Sequence, residues 1–268
     1  MIKLRQLRIA PKIRGFDTQK LSQALKQYRA KTAWGLDIGG QALKAVKITQ
    51  TSGGLLIEDM DILEYPALKP DVNFLQSTYI KEAIQAFLAK HHITKTDNVL
   101  VSIPGQFVLS RFTTVPPVDK KQLKDIATYE AKQQIPFDLK DIVWDYQQLS
   151  EQVPATEGIE IGLFASKRGT LDHILSNIAS LKPRLTALLV SPLAISNFIF
   201  FDRQVDGPAI IINIETENTD IVILDGLHLW LRSITLPTVD ADLVKEIQRS
   251  MEYYKSLTKE EVNFKNIL

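Results

Sequence analysis

The sequence of 268 residues contains no cysteine. This absence excludes disulfides, thiolate metal sites and thiol nucleophiles, and it suits a reducing compartment. No uninterrupted apolar run reaches the length of about 20 residues that a membrane-spanning helix needs. The first residues, Met1 to Arg5, have no apolar core of the kind found in secretory signals. We therefore expect a soluble, cytoplasmic globular protein.

Common catalytic motifs are also missing. The chain has neither a Gly-x-Ser-x-Gly elbow nor a Gly-Lys-Ser/Thr phosphate loop, which argues against serine hydrolases and P-loop nucleotidases. The histidines number only four, and His91 and His92 are the only adjacent pair. Because consecutive residues at a helix end point apart, we expect no shared metal site there.

Negative charge is nearly absent from the beginning of the chain. Residues 1–31 contain nine Lys or Arg and one acid, so they carry +8, and the remaining residues carry −7. A basic segment on an acidic body can contact anionic lipid or nucleic acid. Since the segment has few aromatic residues, we rank the membrane above nucleic acid, with a solvated tail as the alternative. The candidate contacts are Lys3, Arg5, Arg8, Lys12 and Arg14.

The most informative segment that is present runs from Trp34 to Ile48. It reads as a buried strand, a glycine turn and a return strand. The turn residues Gly39, Gly40 and Gln41 could bring backbone N–H groups close to a phosphate. Asp37 could hold a hydrated Mg²⁺, and Lys44 could place a positive charge near phosphates. An ordinary hairpin with a diglycine turn is the alternative interpretation.

Two stretches resemble a known family. The pattern Asp37-Ile38-Gly39 followed by Lys44 resembles the first phosphate loop of the actin-like ATPases. The stretch from Tyr129 to Tyr146 resembles the PilM family more specifically; these are type IV pilus assembly and competence proteins related to the cell-division protein FtsA. The resemblance implies an α/β, actin-like (ribonuclease H-like) ATPase fold with an inserted strand–helix–strand–strand subdomain. It also implies an ancestral Mg·ATP cleft and a groove that holds the cytoplasmic tail of a membrane partner, PilN.

The organisation along the chain fits such a fold. We expect a basic extension at 1–31, a first actin-like half at 32–107 and 183–205, an inserted subdomain at 108–182 and an incomplete second half at 206–268. The hairpins near residues 33–49 and 209–224 indicate the two related halves. Periodicity predicts helices over 74–90, 120–134, 167–180, 193–201 and 240–256, and strands over 55–60, 99–103, 108–115, 144–149, 159–165, 185–190 and 229–235.

Several positions depart from the family pattern. Asn213 and Glu215 stand where the second phosphate loop of the family carries Asp and Gly. Two like charges about 4 Å apart repel by about 4 kcal/mol at an effective dielectric constant of 20, which corresponds to a roughly thousandfold loss of affinity. Leu189 and Ser191 replace the acids that the family carries before Pro192. The adenosine loop beyond the long helix is missing, although Glu246 and Arg249 on that helix are present.

The remaining feature is a group of aromatic residues beside a proline turn: Pro136, Phe137, Trp144 and Tyr146. We predict that they anchor a partner's peptide, with a role in the core as the alternative. Asp138, Asp141 and Asp145 are interpreted as a solvated face.

We thus predict a PilM-like pseudo-ATPase scaffold of a type IV pilus or type II secretion platform, peripheral to the inner membrane. It would bind a PilN-like tail and, in a further prediction, associate with itself. One alternative is an active ATPase fragment that binds ATP and Mg²⁺, with Asp37 as the metal ligand. The other is a nucleic-acid-binding protein that uses the basic segment.

Overall fold

The computed structural model describes residues 32–52, 54–66, 78–94, 97–149, 158–181, 185–202, 207–225, 228–236, 241–258 and 262–268. They fall into two compact units. The first comprises the chain up to Pro104 together with Lys167–Ser191, and the second comprises Gly105–Ser166 and Pro192–Leu268.

The strands are β1 (Thr32–Ile38), β2 (Ala42–Thr51), β3 (Gly54–Glu64), β4 (Asn98–Ile103), β5 (Leu109–Val115), β6 (Ile142–Gln148), β7 (Ile159–Lys167), β8 (Leu185–Val190), β9 (Ala209–Ile214), β10 (Thr219–Asp225), β11 (His228–Ile234) and β12 (Asn266–Ile267). The helices are α1 (Tyr79–Lys90), α2 (Lys120–Gln134), α3 (Arg168–Asn177), α4 (Ser191–Asp202) and α5 (Ala241–Thr258). Short 3-10 turns lie at Gly105–Phe107 and Ala179–Leu181.

The first unit is built on a five-stranded sheet in the order β3-β2-β1-β4-β8. Strands β1 to β3 form an antiparallel meander, and β4 and β8 run parallel to β1. Trp34 on β1 is buried, and its ring centroid lies 4.9 Å from that of Phe87 on α1. Because Ile80, Ile84 and Phe87 recur at helical spacing and are fully buried, α1 packs its apolar face on this sheet.

The second unit contains two sheets. Strands β9 to β11 form a second antiparallel meander, and β12 pairs in parallel with β9 at the edge, in the order β11-β10-β9-β12. Its core joins Ile221, Ile223 and Trp230 to Leu243 and Tyr254 of α5.

The other sheet of this unit is three-stranded, in the order β5-β7-β6. Helix α2 covers it, with Leu123, Ala127 and Ala131 packed against Ile161 and Leu163. Asp119 occupies the N-cap position of α2, but its side chain makes no capping hydrogen bond. The backbone carbonyl of Asp119 instead accepts the N–H of Leu123 at 3.0 Å.

Most predicted elements are present, with shifted ends. Strand β3 continues to Glu64, α1 begins at Tyr79 and β6 begins at Ile142. Helix α3, which the sequence placed in the inserted segment 108–182, lies in the first unit. No helix among the described residues has both the length and the apolar character needed to cross a membrane.

Candidate functional site

The first candidate loop joins β1 to β2. Asp37 lies opposite Lys44 in the antiparallel pair and beside Ser102 in the parallel pair with β4. The Ser102 hydroxyl donates to Oδ1 of Asp37 at 2.5 Å, and Lys44 Nζ lies 3.8 Å from Oδ2. The sequence thus placed Asp37 and Lys44 together correctly and missed Ser102.

The turn itself is tight but not left-handed. The Gly39 N–H donates to the Ala42 carbonyl at 3.1 Å, and neither Gly39 nor Gly40 has a positive φ. A Cβ on Gly39 would lie 3.3 Å from the Ala42 oxygen. Glycine at this position is therefore favoured by close packing. The neighbouring Gln41 is exposed, and its carbonyl accepts the Tyr65 N–H at 2.7 Å.

Tyr65 is a second residue that the sequence did not suggest. Burial raises the pKa of its phenol, and the negative charge of Asp37 raises this pKa further. Both effects disfavour a phenolate. Tyr65 therefore contributes a neutral hydroxyl in the electrostatic field of Asp37.

The second candidate loop, after β9, is closed on itself. The Asn213 side-chain amide donates to Oε1 of Glu215 at 2.9 Å, and the Glu215 N–H donates to the Asn218 carbonyl at 2.8 Å. One N–H of the Asn213 amide is engaged by this bond, and an anionic Glu215 carboxylate repels an anionic ligand. This pair is a poor fit for the phosphates of a nucleotide.

A buried carboxylate lies behind this loop. Asp220 pairs with Asn213 across the strands, is fully buried and accepts a hydrogen bond from the Ser233 hydroxyl. A Cβ on Gly105 would lie 2.2 Å from Ser233 Oγ and 2.4 Å from Asp220 Oδ1. The contact joins the 3-10 turn at Gly105–Phe107 to β10 and β11, all within the second unit.

The two charged residues predicted on the long helix differ in their surroundings. Glu246 is mostly buried and forms an ion pair with Arg232 on β11 at 3.0 Å, and it also pairs with Arg249. Arg249 is exposed, as expected of an isolated surface charge. Of the positions that lack the family's acids, Leu189 is half-buried on β8 and Ser191 is the buried first residue of α4.

Of the four residues predicted to bind a partner, Pro136 and Phe137 lie between α2 and β6, and Trp144 and Tyr146 lie within β6. Pro136 is exposed, and the side chain of Phe137 is 40% exposed. Trp144 and Tyr146 alternate along β6, an edge strand, and pack partly against the core under α2. They therefore contribute to the core and still present some surface.

The face that carries Asp138, Asp141 and Asp145 is only partly solvated. Asp138 and Asp141 are exposed, and a backbone N–H and the side chain of Lys140 lower the pKa of Asp138. Asp145 was predicted to be solvated, and this was wrong. It is half-buried, and burial raises its pKa because a charged carboxylate is desolvated there.

An open groove with a cavity volume of about 80 Å³ lies within the second unit, between the inserted sheet and the meander with α5. Apolar side chains from β5, β7, β11 and α5, together with Leu149 directly after β6, line it: Phe112, Leu149, Ile161, Leu229, Trp230 and Leu257. A polar pair, Glu160 and His228, lies at the same groove, with Nδ1 of the imidazole 2.5 Å from Oε2 of the carboxylate. The family resemblance implied a groove for a partner's tail, but the residues that line this groove were not predicted, and none of the four predicted aromatic-turn residues is among them.

The remaining predictions concern membrane contact and metal binding. Lys3, Arg5, Arg8, Lys12 and Arg14 lie outside the described residues. Within the described part of the chain, no group of three or more His, Asp or Glu side chains is arranged to hold a metal ion.

Comparison with known proteins gives the fold. None of the curated proteins matches the chain. A solved PilM–PilN type IV pilus biogenesis complex is similar with a TM-score of 0.62 and 20% identity, over 86% of this chain and 73% of that chain. The cytoplasmic domain of EpsL, an inner-membrane component of the type II secretion system of Vibrio cholerae, is similar with a TM-score of 0.52 and 12% identity, over 88% of this chain and 80% of that chain.

The α/β fold is therefore that of the actin-like ATPases, as predicted. A sequence model of a protein family, described as type IV pilus assembly protein PilM, matches residues 35–198. Because this match covers more than half of the sequence, the chain belongs to the type IV pilus assembly protein PilM family.

Proposed function

We propose that this PilM-family chain is a cytoplasmic scaffold of a type IV pilus assembly platform. In this proposal it holds the extended cytoplasmic tail of a bitopic inner-membrane protein of the PilN type. Membership of the family supports the assembly role. The similar structure is that of a complex between PilM and PilN, which supports the choice of partner.

The observation that carries the proposal is the groove in the second unit. Its apolar lining suits the side chains of an extended peptide, and its Glu160–His228 pair offers a polar contact that could fix orientation. Its cavity volume of about 80 Å³ suits a single side chain of a bound peptide and not a folded partner. Leu257 of α5 is 42% exposed on the wall, so a ligand could reach it.

A peptide titration tests this proposal. The probe is a synthetic peptide with the cytoplasmic N-terminal residues of the PilN-like protein from the same genome. Calorimetry measures its binding to the chain. Leu257→Arg should weaken binding at least tenfold, because it places a charge in the apolar groove. Val244→Arg is the matched control, since Val244 is 51% exposed on the same helix and does not line the groove.

Phe137→Arg distinguishes the two candidate surfaces. If binding is lost with Phe137→Arg and retained with Leu257→Arg, the peptide binds at the aromatic turn and the groove assignment is wrong. If all three variants bind the peptide like the parent chain, neither surface holds it. If the parent chain itself does not bind the peptide, the proposed partner role fails.

We also propose that the chain has lost nucleotide hydrolysis and tight nucleotide binding. The poor fit of the Asn213–Glu215 pair to phosphate supports this reading. In the first loop, Asp37 and Lys44 fit a metal-bound phosphate by residue type, and already lie 3.8 Å from each other. ATP with Mg²⁺ should give no calorimetric binding at micromolar concentrations, whereas Asn213→Asp with Glu215→Gly should bind at least tenfold more tightly. A micromolar dissociation constant for the parent chain would instead support the working ATPase.

A further inference from the structure

Strand β3 is a long edge strand with an unusual surface. It has 11 residues and pairs only with β2 among the described strands of its sheet. It contains neither proline nor lysine, which commonly protect such edges. Five large apolar side chains on it are 50–69% exposed: Leu55, Leu56, Ile57, Met60 and Ile62. An edge of this kind is a template for one more strand.

A β-bulge fixes which of these side chains share a face. The register with β2 shifts between Lys47 and Ile48, so that Glu58 is the extra residue. Leu55, Ile57, Met60 and Ile62 pair with alternate residues of β2 and therefore lie on one face. Their spacing along the chain is i, i+2, i+5 and i+7.

The same strand is strongly acidic. It carries Glu58, Asp59, Asp61 and Glu64 and no basic residue. Three of these carboxylates have cationic or imidazole partners on β2 and α1: Lys47 lies 2.9 Å from Glu58, and His91 lies 2.8 Å from both Asp59 and Asp61. Asp59 nevertheless remains 45% exposed, and Glu64 is exposed. A strand that adds here should therefore be apolar on one face and basic elsewhere.

One segment of this chain has that pattern. Ile2, Leu4, Leu7 and Ile9 follow the spacing i, i+2, i+5 and i+7, which is the spacing on β3, and Lys3, Arg5 and Arg8 lie between them. In a regular strand Ile2 and Leu4 would lie on the face opposite to Leu7 and Ile9, so a one-residue bulge like that of β3 is needed to bring all four to one face. With that bulge the spacing reads the same in both chain directions, so parallel and antiparallel pairing both match the apolar faces. The charges of the segment and of β3 are opposite in sign.

The connection is long enough. Thr32, where the described residues begin, pairs with Thr49, and Thr49 pairs with Leu56 of β3. Thr32 and β3 are thus two strand spacings apart, about 10 Å. Residues 10–31 form a tether that can span several times this distance, at up to about 3.3 Å per residue. Docking within one molecule therefore needs no long reach and benefits from a high effective concentration.

We propose that residues 2–9 add to the free edge of β3 as a sixth strand, with their apolar side chains on Leu55, Ile57, Met60 and Ile62. Pairing of β3 with the β3 of a second copy would instead bring eight acidic side chains together, which disfavours it. An anionic membrane is the rival destination for the basic residues.

Cross-linking tests the proposal cleanly, because the chain has no native cysteine. Met60→Cys is combined with Leu4→Cys for antiparallel pairing and with Leu7→Cys for parallel pairing, in the full chain. A short bifunctional thiol reagent should cross-link one of these pairs within the monomer about tenfold faster than the control pair, since adjacent cross-strand Cβ atoms lie about 5 Å apart. The control is Leu4→Cys with Val244→Cys, which is similarly exposed on α5.

A second measurement separates docking from chance encounter. Arg5→Glu with Arg8→Glu should abolish the cross-link and speed hydrogen exchange of the amides in 54–64. Cross-linked dimers in place of monomers would assign the edge to a second copy and overturn the proposal. Failure of both pairs to exceed the control, with all cysteines reactive, would also overturn it. Binding of such a chain to phosphatidylserine vesicles would then assign the segment to the membrane.

Discussion

Substitution of Gly105 by alanine should destabilise the second unit strongly. The added methyl group would lie 2.2 Å from Ser233 Oγ and 2.4 Å from Asp220 Oδ1, and the two residues are paired with each other in the ladder between β10 and β11. Overpacking of a core typically costs about 1–3 kcal/mol. Losing a hydrogen bond to a buried charged group costs about 1.5–3 kcal/mol more.

A total of about 3 kcal/mol corresponds to a fall in melting temperature of about 6–12 °C for a chain of this size. Thermal unfolding followed by circular dichroism measures it. The matched control is Gly169→Ala, because Gly169 lies in α3 and a Cβ there would meet nothing within 4 Å. The control should raise stability by roughly 0.5 kcal/mol, since alanine favours a helix over glycine.

The two substitutions are chemically identical, yet they should change stability in opposite directions because only Gly105 has no room for the added methyl group. Equal melting temperatures for Gly105→Ala and the parent chain would refute this reasoning, because the Asp220–Ser233 pair would then have room for the methyl group. Ser233→Ala should give an intermediate loss, as it removes the donor and adds no atom.

Two further predictions concern pH. Lys90 and His91 lower the pKa of Asp61, so the ionised carboxylate adds stability above pH about 4 that is lost as pH falls through its folded pKa. Urea titrations should show a gap in unfolding free energy between the parent chain and Asp61→Asn that closes below pH 4. Exposed Asp119→Asn is the control, and a gap that stays constant with pH would contradict the ion-pair reading. The pKa of Tyr65 is raised by burial and by Asp37. As pH rises, this phenol therefore ionises first in the unfolded chain, and stability falls above pH about 10. Tyr65→Phe should lose less stability between pH 9 and 11 than the parent chain, and identical losses would show that Tyr65 is not the residue responsible.

Local pattern sufficed for the two hairpins. Short apolar strands at β1 and β9, with polar or glycine turns after them, predicted both hairpins and brought Asp37 and Lys44 to one turn. The PilM-like stretch after Tyr129 predicted the inserted sheet and its helix. These features depend on residues that are close in sequence.

Features formed by distant segments could not be read in this way. Ser102 reaches Asp37 across 65 residues because β4 is inserted beside β1, and no local signal marks it. The groove combines residues of β5, β7, β11 and α5, so it exists only in the folded unit. Asp145 was misjudged because period-2 alternation gives the face of a residue and not how much neighbouring chain covers that face.

Each of the three sheets carries a single tryptophan: Trp34 on β1, Trp144 on β6 and Trp230 on β11. These are all the tryptophans in the chain. Replacing two of them with phenylalanine would leave an intrinsic fluorophore in one chosen sheet. Emission from the three resulting proteins would then follow the melting of each sheet separately, and would reveal whether the layers come apart together or in sequence.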